Sequence, residues 1–360
     1  MFEISAGARR TTAALWLRAT GRGGFSLVEL LTVVVVVALL AGIVVPAAQR
    51  AREAARRTVC QDNLRQLAAA TLHHEVTRRV LPAATVVATA SAPAACNGCY
   101  NPWGEARLDP SSFPPGSRHG TSWILPVLPF VDAAGIHDRW NRATNVLGNA
   151  EQARTTIPGL LCPSRRGGIR SDRHDHRNLP VVTWRGGGTD YGGCHGRIDG
   201  FMNDTADDRR FADVETPIAG SVGSRQGIFR PVVGTPLKDV EDGLAATIML
   251  GELQRLRPVP GATSAAATAN RTSQDGWAVG GAATLFVTAT DPGHGNPGGI
   301  NNGFFESPGS EHHRGCFFAM ADGSVRWLGG DVDAADNNGV FPRLGSIRDG
   351  RPAGLAAAQR

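Results

Sequence analysis

The chain has 360 residues, of which 19% are charged and 42% are apolar, and its formal net charge is +5. This composition is typical of a globular protein and excludes a largely disordered chain. Four arginines and one glutamate, a balance of +3, lie in the first 24 residues. No basic stripe interleaved with aromatic residues follows them, so we predict no nucleic-acid partner.

An apolar run follows this basic segment. Residues 30–48 contain Thr32 as their one polar side chain, and a helix of that length spans about 28 Å, close to the hydrocarbon core of a bilayer. A cleaved secretory signal would be shorter, with small residues after the run, whereas Gly23 and Gly24 precede it. We predict a membrane-spanning helix with a cytoplasmic N-terminus, although four more arginines within residues 50–57 weaken the charge argument for that orientation.

The residues at the start of the run have a specific order. A basic leader ends in Gly24, and the stretch FSLVE from Phe25 to Glu29 leads into the apolar run. This order resembles the N-terminus of type IV prepilins and type II secretion pseudopilins. The resemblance implies that a prepilin peptidase cuts between Gly24 and Phe25 and methylates the new N-terminus. It also places Pro46 where pilins commonly carry a helix-kinking proline.

Glu29 needs a partner, because an unpaired charge at membrane depth costs about 2.5–3.5 kcal/mol on insertion scales. In the pilin-like arrangement its partner is the α-amino group of Phe25 on a neighbouring subunit, which only cleavage exposes. The alternative is a signal anchor in which Glu29 lies near the lipid headgroups.

Helical sequence continues beyond Pro46, which should kink or locally unwind the helix. Glu53 and Arg57 have the spacing of an i,i+4 ion pair. The helix is predicted to end near Val80, just before Pro82. Residues at three-to-four spacing predict a stripe that packs on a head domain: Cys60, Leu64, Leu67, Thr71 and Leu72.

Beyond residue 80, short apolar runs alternate with Gly, Pro, Asn and Asp, without βαβ alternation. We therefore predict an α+β fold in which a long, pilin-type N-terminal helix packs on a β-rich, mainly antiparallel head. The expected segments are a basic leader (1–24), the helix (25–80) and an extracytoplasmic head (81–360). Strands are predicted within 121–131, 177–184, 226–233, 246–252, 276–281 and 283–290.

A histidine, His312, stands ten residues before the Asp322-Gly323 pair of the stretch CFFAMADGSVRWLGG. Asp-Gly suits a tight hairpin turn. With the prepilin-like N-terminus, this H-x9-D-G spacing resembles a large family of prepilin-like proteins of unknown function, some described as solute-binding-like. Further matches are AREAARRTVCQDNLRQLAAA, SWILPVLPFVD, LLCPSRR, TDYGGCHG and DGLAATIMLGE, whereas His-Arg-Gly replaces the usual Pro-Gly-Gly after His312. We favour an ordinary hairpin with a surface histidine over a metal or polar clasp.

Six cysteines in an exported chain are able to pair. Cys96 and Cys99 of CNGC are candidates for a disulfide, although spacing does not fix the connectivity and free thiols are the alternative. The loop-like residues around them argue against a thioredoxin-type redox site.

The sequence contains two weak candidates for a metal site. His174 and His176 lie in a polar segment that is better explained as a solvated loop. Asp331 and Asp333 fit two calcium ligands of an EF-hand-like loop, but Ala335 occupies the third position. We predict no cofactor, with calcium as the alternative.

No catalytic constellation is evident. Ser310, His312 and Asp322 lack the nucleophile context of a hydrolase, so we predict that the chain is not an enzyme. The sequence favours a single-pass inner-membrane, pseudopilin-like assembly subunit with a periplasmic or extracellular head. Its expected partners are a prepilin peptidase, the membrane, and itself or other pseudopilins in a type II secretion-like or type IV pilus-like assembly. The alternative is a tethered solute-, glycan- or protein-binding module that does not polymerise.

Overall fold

A computed structural model describes residues 24, 26–86, 109, 120–166, 187–197, 225–231, 233–256, 274–292, 295–334 and 336–351. The chain forms two compact units, Met1–Arg52 and Glu53–Arg360. Several residues singled out above lie outside the described residues: Phe25, Cys96, Cys99, His174 and His176. The predicted segment boundary near residue 80 stays a prediction.

Helix α1, Leu27–Arg78, begins at a reciprocal cap. The Ser26 hydroxyl accepts a hydrogen bond from the Val28 N–H at 3.2 Å, and the Glu29 carboxylate accepts one from the Ser26 N–H at 2.9 Å. A serine followed three residues later by glutamate is the capping-box pattern, which satisfies N–H groups that the first turn leaves unpaired. Glu29, the acid at the start of the apolar run, therefore also caps the first turn of α1.

The first half of α1 is apolar and exposed within its own unit. It is long and apolar enough to cross a membrane, as a membrane anchor or a signal segment would be. The helix stays α-helical through Pro46, so the predicted local unwinding is wrong, while a kink there stays a prediction. It ends at Arg78, close to the predicted end near Val80, and Arg79 has a left-handed backbone with φ 63°.

The second half of α1 belongs to the larger unit and buries one face there. The predicted stripe is confirmed, since Leu64 and Leu67 join the main hydrophobic core and Leu72 packs against it. Cys60 and Thr71 of the same stripe are fully buried. Periodicity in the sequence therefore identified the face by which this half of the helix packs.

The strands of the described chain are β1 Thr85–Val86, β2 Thr121–Ser122, β3 Tyr191–Gly196, β4 Ile248–Glu252, β5 Leu285–Val287, β6 Gly315–Met320 and β7 Val325–Gly329. Five of them form one sheet, in the order β5-β3-β4-β6-β7. Antiparallel pairs join β3 to β4, β4 to β6 and β6 to β7, whereas β3 and β5 are parallel. A separate antiparallel pair joins β1 to β2. This mixed body with antiparallel strands is compatible with the predicted α+β class.

The sheet separates two hydrophobic cores. Along β6, Phe317 and Ala319 pack in the core that contains the α1 stripe, while Cys316, Phe318 and Met320 pack in the other. Successive side chains of a strand point to opposite faces, so this alternation means that both faces of β6 are covered. The centre of the sheet is therefore buried on both sides, and α1 contributes to the core on one of them.

Several predicted strands are wrong or shorter than expected. Within 121–131, only Thr121 and Ser122 are in a strand, and helical turns come directly after them. Proline cannot donate to a strand ladder, but its missing N–H costs nothing in a first helical turn, which explains how Pro126 and Pro129 are accommodated. The described residues of segments 226–233 and 276–281 contribute isolated bridges only, and 177–184 lies outside the described residues. Segments 246–252 and 283–290 contain β4 and β5.

Short helices complete the described body. Four are α-helical: Ile124–Val127, Ala134–Asp138, Ala150–Ala153 and Val340–Leu344. Turns of 3₁₀ helix occur at Leu128–Phe130, Leu147–Asn149, Pro158–Leu160, Leu237–Asp239, Leu244–Ala246 and Gly281–Ala283. The Pro158–Leu160 turn leads directly into the LLCPSRR segment.

Strand β3 was not predicted, because its glycines disfavour a strand by propensity. Close packing explains them. A Cβ added to Gly192 would lie 2.6 Å from Leu253, and one added to Gly193 would lie 2.6 Å from Phe229. The TDYGGCHG segment is thus a central strand in which glycine lets neighbouring side chains approach the backbone.

Candidate functional site

Five side chains from four separated segments meet at one place, which we call the Cys-His-Glu cluster. Two come from α1, seven residues apart and therefore on one face of the helix. The others come from the loop after the Pro158–Leu160 turn, from the end of β4 and from the loop before β6. The members are Glu53, Cys60, Cys162, Glu252 and His312.

A disulfide joins Cys60 on α1 to Cys162, with the two Cα atoms 5.4 Å apart. This pair was not predicted, because the bonded residues are 102 positions apart. The available signal was that each lies in a segment already singled out, AREAARRTVCQDNLRQLAAA and LLCPSRR. The predicted bridge between Cys96 and Cys99 is not contradicted by this bond and stays a prediction.

His312 lies at the centre of the cluster. Its Nδ1 is 2.9 Å from Oε1 of Glu53, and its Nε2 is 3.3 Å from Oε1 of Glu252 and 3.7 Å from Sγ of Cys162. Since a carboxylate only accepts hydrogen bonds, Nδ1 carries a hydrogen that it donates to Glu53. The side chain of His312 is 0% exposed, so the predicted surface histidine is wrong.

The loop before β6 turns this histidine inward. The Ser310 hydroxyl accepts a hydrogen bond from the His312 N–H at 3.1 Å and donates one to the Gly315 carbonyl at 2.6 Å. Such a serine bridge fixes a tight loop by replacing backbone hydrogen bonds. The sequence departure after the histidine, His313-Arg314-Gly315, lies within this loop, and Arg314 takes a left-handed φ of 62° there.

The charges around His312 favour an imidazolium. Burial acts to lower the pKa of His312, but the carboxylates of Glu252 and Glu53 outweigh burial and raise the pKa above its usual value. Burial acts to raise the pKa of Glu53, yet hydrogen bonds with His312, Arg56 and Ser164 bring that pKa below its usual value. His312 thus lies between two carboxylates, both of which favour the protonated form of its ring.

Glu252 is the more deeply buried of the two carboxylates. Its side chain is 1% exposed, and its Oε2 accepts a hydrogen bond from the Phe317 N–H at 2.9 Å. Its Oε1 has no directed hydrogen bond among the described residues, although Nε2 of His312 is near. A buried carboxylate is stable only when a cation or donors offset its lost hydration.

Asp322 and Gly323, the other end of the H-x9-D-G spacing, lie away from these contacts. Asp322 is exposed at the tip of the β6–β7 hairpin, where its carboxylate accepts a hydrogen bond from the Ser324 N–H at 2.8 Å. Gly323 has φ 84°, which glycine adopts without strain. The predicted hairpin turn is confirmed, and the histidine and the aspartate have separate structural roles.

A stacked arginine also ties α1 to this hairpin. The guanidinium of Arg57 lies 4.2 Å from the ring centroid of Trp327 and 5.6 Å from that of Phe317. The predicted Glu53–Arg57 ion pair is wrong, because Glu53 pairs with Arg56 at 2.7 Å instead. Arg57 therefore stacks on aromatic rings, a contact that the spacing of residues along the helix does not predict.

A buried ion network holds the loop that carries Cys162. Arg166 contacts Asp275 at 2.6 Å and Asp190 at 2.8 Å, and Asp190 accepts a hydrogen bond from the Cys162 N–H at 2.9 Å. Arg166 belongs to the LLCPSRR segment and Asp190 to TDYGGCHG. The network thus fixes the backbone of Cys162 opposite α1.

Potential metal ligands gather in the Cys-His-Glu cluster. Within the described residues, Cys60, Cys162, Glu252 and His312 are the one group of three or more His, Cys, Asp or Glu side chains whose ligand atoms lie within 4.8 Å of one another. Asp331 and Asp333 are not part of such a group among the residues described. His174 and His176 remain outside that part of the chain.

Comparison with known proteins gives one match. A family model described as "Protein of unknown function (DUF1559)" matches residues 49–335. No curated protein and no solved structure matches. All five members of the Cys-His-Glu cluster fall within the matched range.

Proposed function

The chain belongs to the DUF1559 family of proteins of unknown function, and we propose that it is a membrane-anchored, pseudopilin-like assembly subunit. In this proposal a prepilin peptidase removes the leader after Gly24, and the apolar half of α1 then packs with other copies or with pseudopilins. The head lies on the periplasmic or extracellular side. One observation carries the proposal: an exposed, membrane-length apolar helix begins three residues after Gly24 with an acid in its first turn.

The chemistry of the helix start supports processing. Cleavage after Gly24 would leave the ammonium group of Phe25 next to the N-terminal end of α1, where the helix dipole disfavours a cation. A carboxylate in the first turn offsets that charge, whether it pairs within the chain or with a neighbouring subunit. Glu29 also accepts the hydrogen bond from the Ser26 N–H. Glu29 thus caps the helix within one chain and, in this proposal, also pairs with the ammonium group of a neighbouring chain.

The Cys-His-Glu cluster supports the export and assembly parts of the proposal. A disulfide forms and persists in oxidising compartments, which agrees with a head outside the cytoplasm. The disulfide, the Glu53–His312 contact and the Arg57 stack all hold the second half of α1 to the rest of its unit. A subunit that joins an assembly through its helix needs such a firm attachment between helix and head.

The geometry around Ser310 gives no support for catalysis. Its hydroxyl donates to the Gly315 carbonyl, and both ring nitrogens of His312 face carboxylates. Asp322 lies in the hairpin turn. A serine hydrolase would require a serine hydroxyl that hydrogen-bonds to the histidine ring, so we propose no hydrolase role for these three residues.

Glu29→Gln tests the assembly role. Gln at this position preserves the capping box, because its side-chain oxygen accepts the same hydrogen bond, but it removes the charge that would meet an ammonium. We expect the variant to insert into the membrane while crosslinked multimers of the full chain fall sharply compared with wild type. The measurement is in-membrane crosslinking followed by electrophoresis.

Glu75→Gln is the matched control, since it removes one carboxylate from the same helix outside the apolar run and should leave the multimers unchanged. Multimers that persist in Glu29→Gln at the wild-type level would contradict the charge pairing. Wild-type chains that are processed but never crosslink would favour the tethered binding module instead.

A further inference from the structure

Four side chains of the Cys-His-Glu cluster, all of types that ligate metals in proteins, converge on one point. Cys60, Cys162, Glu252 and His312 each offer one ligand atom, all within 4.8 Å of one another, and all four residues are buried. Two sulfurs, an imidazole nitrogen and a carboxylate oxygen form a set that proteins use for four-coordinate metal binding. The set is built from segments far apart in sequence, so local folding alone does not bring it together.

The carboxylate of this set also faces the same point. Oε1 of Glu252 has no directed hydrogen bond among the described residues, and its side chain is 1% exposed. The other oxygen is held by the Phe317 N–H, so Oε1 is fixed toward His312 and the two sulfurs. A cation bound at this point would offset the lost hydration of that carboxylate.

The orientation of His312 fits metal binding. Nδ1 donates its hydrogen to Glu53 at 2.9 Å, which leaves Nε2 directed at Cys162 and Glu252. A carboxylate bonded to the second nitrogen is the usual support of a metal-binding histidine, because it fixes the ring and raises its basicity. Glu53 is therefore placed as a positioning residue for such a ligand.

The redox state of the cysteines controls this chemistry. Joined as a disulfide, the two sulfurs are not available as thiolate ligands. A phosphine opens the bond: two electrons enter the S–S bond, the phosphorus becomes a phosphine oxide with the oxygen of a water molecule, and each sulfur takes one proton. A divalent metal then displaces those two protons together with the proton on Nε2 of the protonated His312 ring.

We propose that reduction of the Cys60–Cys162 disulfide converts the cluster into a tetrahedral zinc site, with the two sulfurs, Nε2 of His312 and Oε1 of Glu252 as ligands. Thiolate and imidazole ligands in a closed four-coordinate set select Zn²⁺ over Mg²⁺ or Ca²⁺. The same side chains then attach α1 to the head in both redox states, by a covalent bond in one and by a metal in the other.

Co²⁺ titration of the full-length chain in detergent tests this proposal. Protein reduced with a phosphine and freed of metal should bind one Co²⁺ per chain, with thiolate-to-cobalt charge-transfer absorption and the intense visible bands of tetrahedral Co²⁺. Zn²⁺ should displace the cobalt. His312→Ala and Glu252→Gln should lose the tetrahedral bands, and Glu53→Gln should weaken binding by about 10–100-fold.

Three controls accompany the cobalt titration. Each variant is purified under oxidising conditions, and its circular dichroism spectrum is compared with that of wild type before and after reduction. A variant that keeps the wild-type circular dichroism but loses the cobalt bands has lost a ligand and not its fold. Cys96→Ser combined with Cys99→Ser should retain the bands, and unreduced wild type should lack them. The proposal is overturned if reduced wild type gives no tetrahedral spectrum, or if the spectrum survives Cys60→Ser combined with Cys162→Ser.

Discussion

Two buried histidines of this protein have pKa values shifted in opposite directions, because their partners differ. His312 has a carboxylate at each ring nitrogen, and its pKa is raised. His195, on β3, has its Nδ1 2.7 Å from the Phe229 carbonyl. Burial lowers the pKa of His195 to about 4, and that hydrogen bond only partly opposes the shift. His195 is therefore neutral in the folded protein near neutral pH.

The lowered pKa of His195 makes stability depend on pH. The unfolded chain, with a histidine pKa near 6.5, takes up a proton as the pH falls, whereas the folded chain does not until about pH 4. The stabilising contribution is thus complete above about pH 6.5 and is lost as the pH falls toward 4, by about 3 kcal/mol in all. Urea titrations across this range measure the free energy of unfolding.

His195→Asn supplies the comparison for that measurement. Asparagine retains an N–H donor for the Phe229 carbonyl but does not titrate. Its free energy of unfolding should fall less steeply than that of wild type between about pH 6.5 and pH 4. Parallel pH profiles for the two proteins would show that His195 is not the group responsible.

At the scale of elements, α1 combines two chemically different halves. The first half is apolar and exposed in its own unit, and the second is held in the larger unit by Cys60, Glu53 and Arg57. Hydrophobic periodicity specifies which face of the second half is buried. The covalent bond from Cys60 to Cys162 adds a constraint between residues that are 102 positions apart.

Removal of that bond should destabilise the attachment of α1. Closing a loop of this length lowers the entropy of the unfolded chain, so Cys60→Ser combined with Cys162→Ser should reduce the free energy of unfolding by about 3–5 kcal/mol. Urea unfolding of the full chain, followed by tryptophan fluorescence, measures the loss. Wild type with a phosphine and a chelator should match the double variant under the same conditions. An unchanged unfolding midpoint in the double variant would contradict a stabilising bond.

The same elements show which structural features could be predicted from the sequence alone. Local patterns sufficed for the α1 stripe and for the Asp322-Gly323 turn, because periodicity and turn chemistry depend on neighbouring residues. They failed for β3, whose glycines are explained only by side chains that approach from other segments. They also failed for His312, whose partner Glu53 is 259 positions away. Such contacts arise from the packing of the whole chain, and no spacing rule encodes them.

At the scale of the whole molecule, the family match and the proposed processing site concern different parts of the chain. The match covers residues 49–335 and includes the Cys-His-Glu cluster, while the processing site lies before that range. The cluster explains how α1 is attached within the larger unit, and the FSLVE stretch with its capping box explains how the helix begins. The proposal of an assembly subunit depends on cleavage, because only cleavage produces the ammonium group that Glu29 is proposed to meet.

Mass spectrometry of the mature N-terminus tests this cleavage most directly. The chain is purified from membranes of a host that contains a prepilin peptidase, and its N-terminal peptide is sequenced. We expect a chain that begins at Phe25 and carries one methyl group on its α-amino nitrogen. A chain that retains Met1, or one that is cut beyond Ala48, would contradict the proposal.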